Sequence, residues 1–281
     1  MSLFLALGAY PHMLFAMKIL RERLVSCLRR LADQPLLLLF SAGFDSSALL
    51  GAASAYGLPI QALWLDNGLN RVSFDRVAQQ AKNLGAAGAV KRLEVPLTAD
   101  VLQNSRQRCF FCARGYLDTV ERAFPRRRLL EGSNADDAGT FRPGMTAKKR
   151  RVVSPLMTLG IGREDARRMA LFYGANADIA AYESCLASRF RYGQPLLPTA
   201  VQAIRAMEEA IIGQTRDFSV RCRFDDLLHL RIECAMETAG KLLAPSDLRG
   251  FIIAQAKKIC QTVAVDLEGS RPNVFDDVEE P

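Results

Sequence analysis

The chain has 281 residues, with 37 Lys plus Arg against 30 Asp plus Glu, seven cysteines and two histidines. Its 49% hydrophobic and 24% charged residues are a globular balance, which excludes a fibrous or intrinsically disordered polypeptide. An odd, unevenly spaced cysteine set argues against a secreted disulfide framework and for a reducing, cytoplasmic setting, and two histidines leave little room for a histidine-built metal site.

Residues 1–16 are apolar but lack a basic leader, are interrupted by Pro11 and are too short to span a bilayer. They read as an N-terminal extension, with Met13 and Met17 as alternative starts and no membrane association. From Met13 to Leu31, Leu20, Leu24, Cys27, Leu28 and Leu31 recur at helical spacing between arginines, which predicts a surface helix. Pro35–Phe40 is an unbroken apolar run of strand length and Ile60–Leu65 a mainly apolar one, as expected for strands buried on both faces of a parallel sheet. Val72–Leu84 reads as a helix closed by Gly85, Val90–Val95 as a third strand and Arg128–Leu130 as a short fourth. Strands alternating with helices imply right-handed crossovers and an open α/β sheet, with ligands at the carboxyl ends of the strands.

Beyond Gln194-Pro195 the alternation weakens. Thr199–Ile212 is a predicted helix, Ser219–Phe224 and Leu228–Cys234 are predicted strands, and Ser246–Ile259 is a further helix. The expected organisation is a main α/β domain over 17–193, a smaller α+β domain over 194–264 and a disordered acidic tail over 265–281. That tail holds six acids against one base, which leaves about +12 on the rest of the chain. A basic body suits an anionic, nucleotide-like substrate, and RNA would suit it too.

The sharpest motif is Ser41-Ala-Gly-Phe-Asp-Ser-Ser47, set between a strand and a helix. Small and hydroxyl residues there let backbone N–H groups close on a phosphate at a helix N-terminus. No Gly-Lys-Ser/Thr follows, so it is not a Walker loop. It resembles the SGGxDS signature of the PP-loop ATP pyrophosphatases, with Ala42 in place of the first glycine; an alanine at positive φ would be strained there. That resemblance implies an open parallel sheet of the adenine nucleotide alpha hydrolase-like type. ATP and Mg²⁺ would be held by Ser41, Gly43, Asp45, Ser46 and Ser47.

Cys109-Phe-Phe-Cys112 places two thiols one helical turn apart, and Cys185 offers a third. Three thiolates can hold a 4Fe-4S cluster with one open iron; a redox dithiol or buried packing cysteines are the other readings. Zinc lacks a fourth ligand. Cys27, Cys222, Cys234 and Cys260 fall in apolar patterns and read as packing residues.

Five segments follow the PP-loop in order: Arg108-Cys-Phe-Phe-Cys112, Glu131-Gly-Ser-Asn-Ala-Asp-Asp137, Phe141-Arg-Pro-Gly144, Val153-Ser-Pro-Leu156 and Cys185-Leu-Ala-Ser-Arg189. Together they resemble the LarE family of sulfur transferases over about Met17–Cys234. Members of that family adenylate a carboxylate of a pyridinium mononucleotide and install sulfur, serving nickel-pincer nucleotide synthesis. Some sacrifice the sulfur of a cysteine at the Cys185 position, whereas others use a 4Fe-4S cluster on three cysteines. Having all three, this chain resembles the cluster type.

The resemblance implies catalytic roles for Asp45, Asp137 and Cys185 and metal ligation by Cys109, Cys112 and Cys185. Asn134 and Asp136 would orient ATP. Arg142, Arg189, Glu209, Arg221 and Arg223 would hold the substrate; Arg221 and Arg223 alternate on one strand face, so they could clamp one phosphate. Sulfide or another sulfur donor, and a homo-oligomeric assembly, complete the expectation, with no nucleic acid required. The alternatives are a PP-loop tRNA thiolase and a non-catalytic sensor of ATP or a cluster.

Overall fold

A computed structural model of the chain describes residues 11–138, 144, 151–182, 184–226 and 228–271. A four-stranded, all-parallel sheet organises the first part. Its strands are β1 (Leu36–Leu39), β2 (Ile60–Asp66), β3 (Val90–Glu94) and β4 (Arg128–Leu130), in the spatial order β3-β2-β1-β4. The register pairs Leu37 with Gln61 on one side and with Leu129 on the other.

Period-two alternation explains why an unbroken leucine run suits β1. Leu36 and Leu38 join the main apolar core, while Leu37 points to a second cluster with Leu63, Leu117, Val120 and Leu129. Helix α1 (Pro11–Leu31), α2 (Phe44–Ala55) and α3 (Phe74–Asn83) bury residues in the main core, Leu24 and Leu28 completely. The short α4 (Ala99–Leu102) leads into α5 (Arg108–Ala123), which covers the opposite face through Leu117 and Val120.

After β4 come α6 (Pro155–Thr158), α7 (Arg163–Phe172) and α8 (Ala177–Ala180). Helices α2 and α7 pack so closely that a Cβ on Gly51 would stand 2.5 Å from Tyr173 Cβ, which is why glycine is needed there. Long α9 (Pro198–Thr215) then leads to a three-stranded sheet of β5 (Arg221–Phe224), β6 (His229–Glu233) and β7 (Thr262–Val265). β5 and β6 pair antiparallel and β6 and β7 parallel, with α10 (Met236–Leu243) and α11 (Asp247–Ala256) in the crossover.

Two features differ from the sequence expectation. The buried residues of this second sheet, including Cys222, Leu230 and Ile232, belong to the same contiguous core as the first sheet. The chain is also ordered past position 264: Val265 lies in β7, Asp266 takes bonds from Arg231 and Arg271, and Arg271 O accepts from Arg223 Nη2 at 2.7 Å. The rest of the acidic segment, 272–281, lies outside the described residues, as do 1–10. No helix among the described residues is long and apolar enough to cross a membrane.

Candidate functional site

Strand order reverses at β1, whose neighbours are β2 and β4, and crevices at the carboxyl ends of such strands are where open α/β sheets bind ligands. The Ser41–Ser47 and Glu131–Asp137 turns both lie there. The Ser41–Ser47 turn leaves β1 and enters α2, with Gly43 as the N-cap residue in extended conformation. Gly43 N–H bonds Ser41 Oγ at 3.3 Å, Ser46 Oγ donates to Gly43 O at 3.2 Å, and Ser47 Oγ to Ala42 O at 3.3 Å. The turn is therefore held from within, with Ser41 exposed and Ser46 and Ser47 buried.

Ala42 adopts φ 66°, so the left-handed conformation is real, and Gln80 Nε2 donates to its carbonyl at 3.4 Å. An alanine there costs about 1 kcal/mol that a glycine would not. Ala42→Gly is expected to stabilise the protein by about 0.5–1 kcal/mol, read as a raised thermal midpoint. A lowered midpoint would mean that the turn gains more from alanine's methyl group than it loses to strain.

The Glu131–Asp137 turn leaves β4 and presses on the same helix start. A Cβ on Gly132 would stand 2.9 Å from Ser46 N, so only glycine permits this approach, and Asn134 Nδ2 donates to Asp45 Oδ2 at 3.0 Å. The two aspartates are spent locally. Asp137 Oδ2 accepts Asn134 N–H at 3.2 Å in a capping box, and Asp136 Oδ2 accepts Arg163 N–H at 2.7 Å, capping α7 from outside. Glu131, buried beneath them, takes hydrogen bonds from Ser133 Oγ and Ser154 Oγ, which ties Val153–Leu156 into the same turn.

The three sequence-identified cysteines stand together electrostatically. Burial pushes Cys112 up to about 12, and Cys185 and Cys109 push it further in the same direction; Asn67 and Arg108 oppose them. Burial also raises Cys185, with Cys109 adding to it, against the Ala187 N–H, Arg108 and Arg189. By surface area the residues Cys185 and Cys109 are nonetheless exposed. Cys109 and Cys112 begin α5, and Gly144 comes close to it: a Cβ there would be 3.2 Å from Cys109 O. Among the described residues no three Cys, His, Asp or Glu side chains are drawn into a closed ligating set. Arg108 is the buried cation of this centre, held by Asn104 and stacked over Tyr192 at 4.5 Å.

The remaining sequence-identified residues fall elsewhere. Arg189 is fully buried: Nε and Nη2 form a fork on Glu208 at 2.7 and 2.9 Å, and Nη1 bonds Ser184 Oγ and Ser188 Oγ. All three of its nitrogens are thus engaged within the protein, and it shapes the Cys185 loop rather than facing a substrate phosphate. Ser188 Oγ bonds Cys185 O at 2.8 Å, and Ser184 is held at φ 94°.

Glu209 lies at the surface and pairs with Arg76 at 2.7 Å, whereas its neighbour Glu208 is the buried carboxylate. Glu208 also accepts Cys222 N–H at 2.9 Å and lies 2.8 Å from Arg71 Nε. Arg71 in turn donates to Phe218 O and Val220 O.

The expected phosphate clamp does not form as such, because Arg223 is committed to Glu233 at 3.1 Å, Ser188 O and Arg271 O. Arg221 differs. It donates only to Phe218 O and Val220 O among the described residues. Burial, then Arg189 and Arg71, push its pKa down to about 9 against the opposing charge of Glu208, which leaves a guanidinium still positive at neutral pH. It lines a cavity of about 500 Å³ with Ser219, Met236, Leu267, Ser270 and Arg271. Arg142 lies outside the described residues.

Sequence reasoning gave no role to Glu208, Arg71, Asn67 or Arg108. Arg108 stood in the Arg108–Cys112 segment without one, and Glu208 left a signal as a carboxylate at i+4 from Ile204 and i−3 from Ile211 on the apolar stripe of α9.

No family model matches the chain. It is similar to an uncharacterized protein of Synechocystis sp., slr1717, with 27% identity over 194 residues that cover 68% of this chain and 72% of that protein.

Proposed function

We propose that the protein is an ATP-dependent sulfur transferase that adenylates a carboxylate on a small anionic, nucleotide-like substrate and replaces the activated oxygen by sulfur. The reading rests above all on the joining of the Ser41–Ser47 turn to the Glu131–Asp137 turn through Asn134 and Asp45, at the carboxyl ends of adjacent parallel strands. A helix N-terminus backed by a glycine contact suits the phosphates of ATP, and Asp45 is the carboxylate at hand for Mg²⁺.

In the first step a substrate carboxylate oxygen attacks the α-phosphorus and pyrophosphate leaves, which gives an acyl adenylate. In the second a sulfur nucleophile attacks the acyl carbon and the C–O bond breaks with its electron pair going to AMP, which yields a thiocarboxylate. The chain's part is to hold the phosphates at α2, keep the loops in register through Asn134, and present the cysteine centre. Arg221 offers the charge that a substrate anion needs, in a cavity large enough for a mononucleotide fragment.

The donor chemistry of the centre fits a 4Fe-4S cluster: three thiols, two of them on exposed residues, with the buried cations Arg108 and Arg189 acting on them. Such a cluster, where bound, supplies an open iron position for the sulfur to be delivered. Cys112 and Cys185 hold their protons at neutral pH in the free protein, so binding there must release them.

Protein purified without oxygen is expected to carry about four irons and matching sulfide per chain. A variant with Cys109, Cys112 and Cys185 all changed to Ser should carry none; iron retained by that variant would refute the assignment. Conversion of Cys185 to dehydroalanine during turnover, read by mass spectrometry, would favour a sacrificial route.

A further inference from the structure

The Asp66–Arg71 stretch after β2 takes no part in the chemistry above, yet it touches both halves of the cysteine centre. Asn67 forms an Asx turn in which its Oδ1 accepts Leu69 N–H at 2.9 Å. That bond fixes which end of the amide is oxygen and leaves Nδ2 facing Cys112 Sγ at 3.5 Å. Immediately beyond, Leu69 O accepts Leu186 N–H at 2.8 Å, and Asn70 forms an antiparallel bridge with Cys185.

The stretch is itself braced. Asn70 Nδ2 donates to Leu65 O at 2.8 Å, and Arg205 donates to Gly68 O and Asn70 O. Beside Asn67 and Cys112 there is a void of only about 10 Å³, walled by Val95, Pro96, Leu97 and Val101. Room for solvent in that void is therefore marginal, and although Thr98 also lines it, the Asn67 amide is the group hydrogen-bonded to the sulfur.

Building on the three-cysteine reading, we infer that Asn67 is a positioning residue for a thiolate-bound metal group: its N–H orients the Cys112 sulfur and draws electron density from it, while its turn aligns Cys185 with Cys112. An N–H···S bond to a ligating thiolate limits the sulfur to one orientation and tunes the metal's electronic character, as outer-shell partners do at other centres.

The test uses the full-length, reduced, metal-free protein titrated with Co²⁺ under anaerobic conditions. Thiolate-to-cobalt charge-transfer absorption reads occupancy through its intensity and sulfur donor strength through its energy. Asn67→Ser keeps a hydroxyl that can accept Leu69 N–H but is too short to reach Cys112; Asn67→Leu removes both contacts. Asn67→Ser is expected to bind Co²⁺ about tenfold more weakly, with the band shifted to lower energy. Asn67→Leu should lose at least as much, and the serine variant decides the matter should the leucine variant not fold. Wild-type affinity and band energy in Asn67→Ser would overturn the inference while leaving the three-cysteine reading in place. Absence of a charge-transfer band in the wild type would overturn both.

Discussion

Glu208→Ala is expected to cost about 3–5 kcal/mol of folding stability, measured as a lowered midpoint in urea unfolding. The carboxylate is fully buried, and it meets Arg189 in a two-bond fork, Arg71 at 2.8 Å and the Cys222 N–H at 2.9 Å. Burial by itself would raise its pKa, but these partners outweigh the desolvation and hold it below the usual carboxylate value. Its stabilising contribution is thus present at neutral pH and lost as pH falls through the lowered folded-state value. Alanine would leave two buried guanidinium groups without their shared counter-charge. Glu208→Gln, which keeps the shape and an acceptor for Cys222, should cost less. Equal stability of the alanine variant and the wild type would show that Arg71 and Arg189 find other partners.

The second large effect is on chemistry. On the proposed function, Asp45→Ala is expected to lower substrate-dependent pyrophosphate release by at least about 100-fold, because it removes both the carboxylate proposed for Mg²⁺ and the acceptor for Asn134. Asp45→Asn separates the two losses, since an amide oxygen can still accept from Asn134 while the negative charge is gone. Pyrophosphate release at the wild-type rate in Asp45→Ala would sink the ATP reading of the Ser41–Ser47 turn. The thermal midpoint of that variant checks that the fold survives, since Ser46 and Ser47 hold the loop through bonds that do not involve Asp45.

The sheet was legible because its central strands are strongly apolar: the β1 leucine run and the Ala62–Leu65 stretch of β2 announce themselves. β7 did not, since Thr262 and Ala264 are exposed and a four-residue half-covered strand looks like any polar approach to an acidic segment. The cysteines and the turns after β1 and β4 were likewise visible, because glycine, asparagine and CxxC spacings are local signals. What stayed hidden depends on partners remote in the chain. Glu209 drew attention over Glu208, although one step of about 100° around a helix decides which carboxylate is buried. Asp136 and Asp137 looked available for ATP or metal, and only the tertiary structure shows them capping helical turns. Arg223 looked like a phosphate ligand until the β5–β6 hairpin placed Glu233 beside it.

The Asp66–Arg71 stretch also fixes when the cysteine centre can exist during biogenesis. Asn67 and Cys112 are 45 positions apart in the chain, and the Arg71–Val220 bond that anchors the same stretch closes 149 positions. Contacts of such separation form late, after the loops between them have been closed at an entropic cost. An unfolded chain would offer an incoming metal only the local Cys109–Cys112 pair. A group held on all three thiols would therefore arrive at a finished scaffold, and its removal should leave the two sheets folded, unlike a zinc finger, which collapses without its ion.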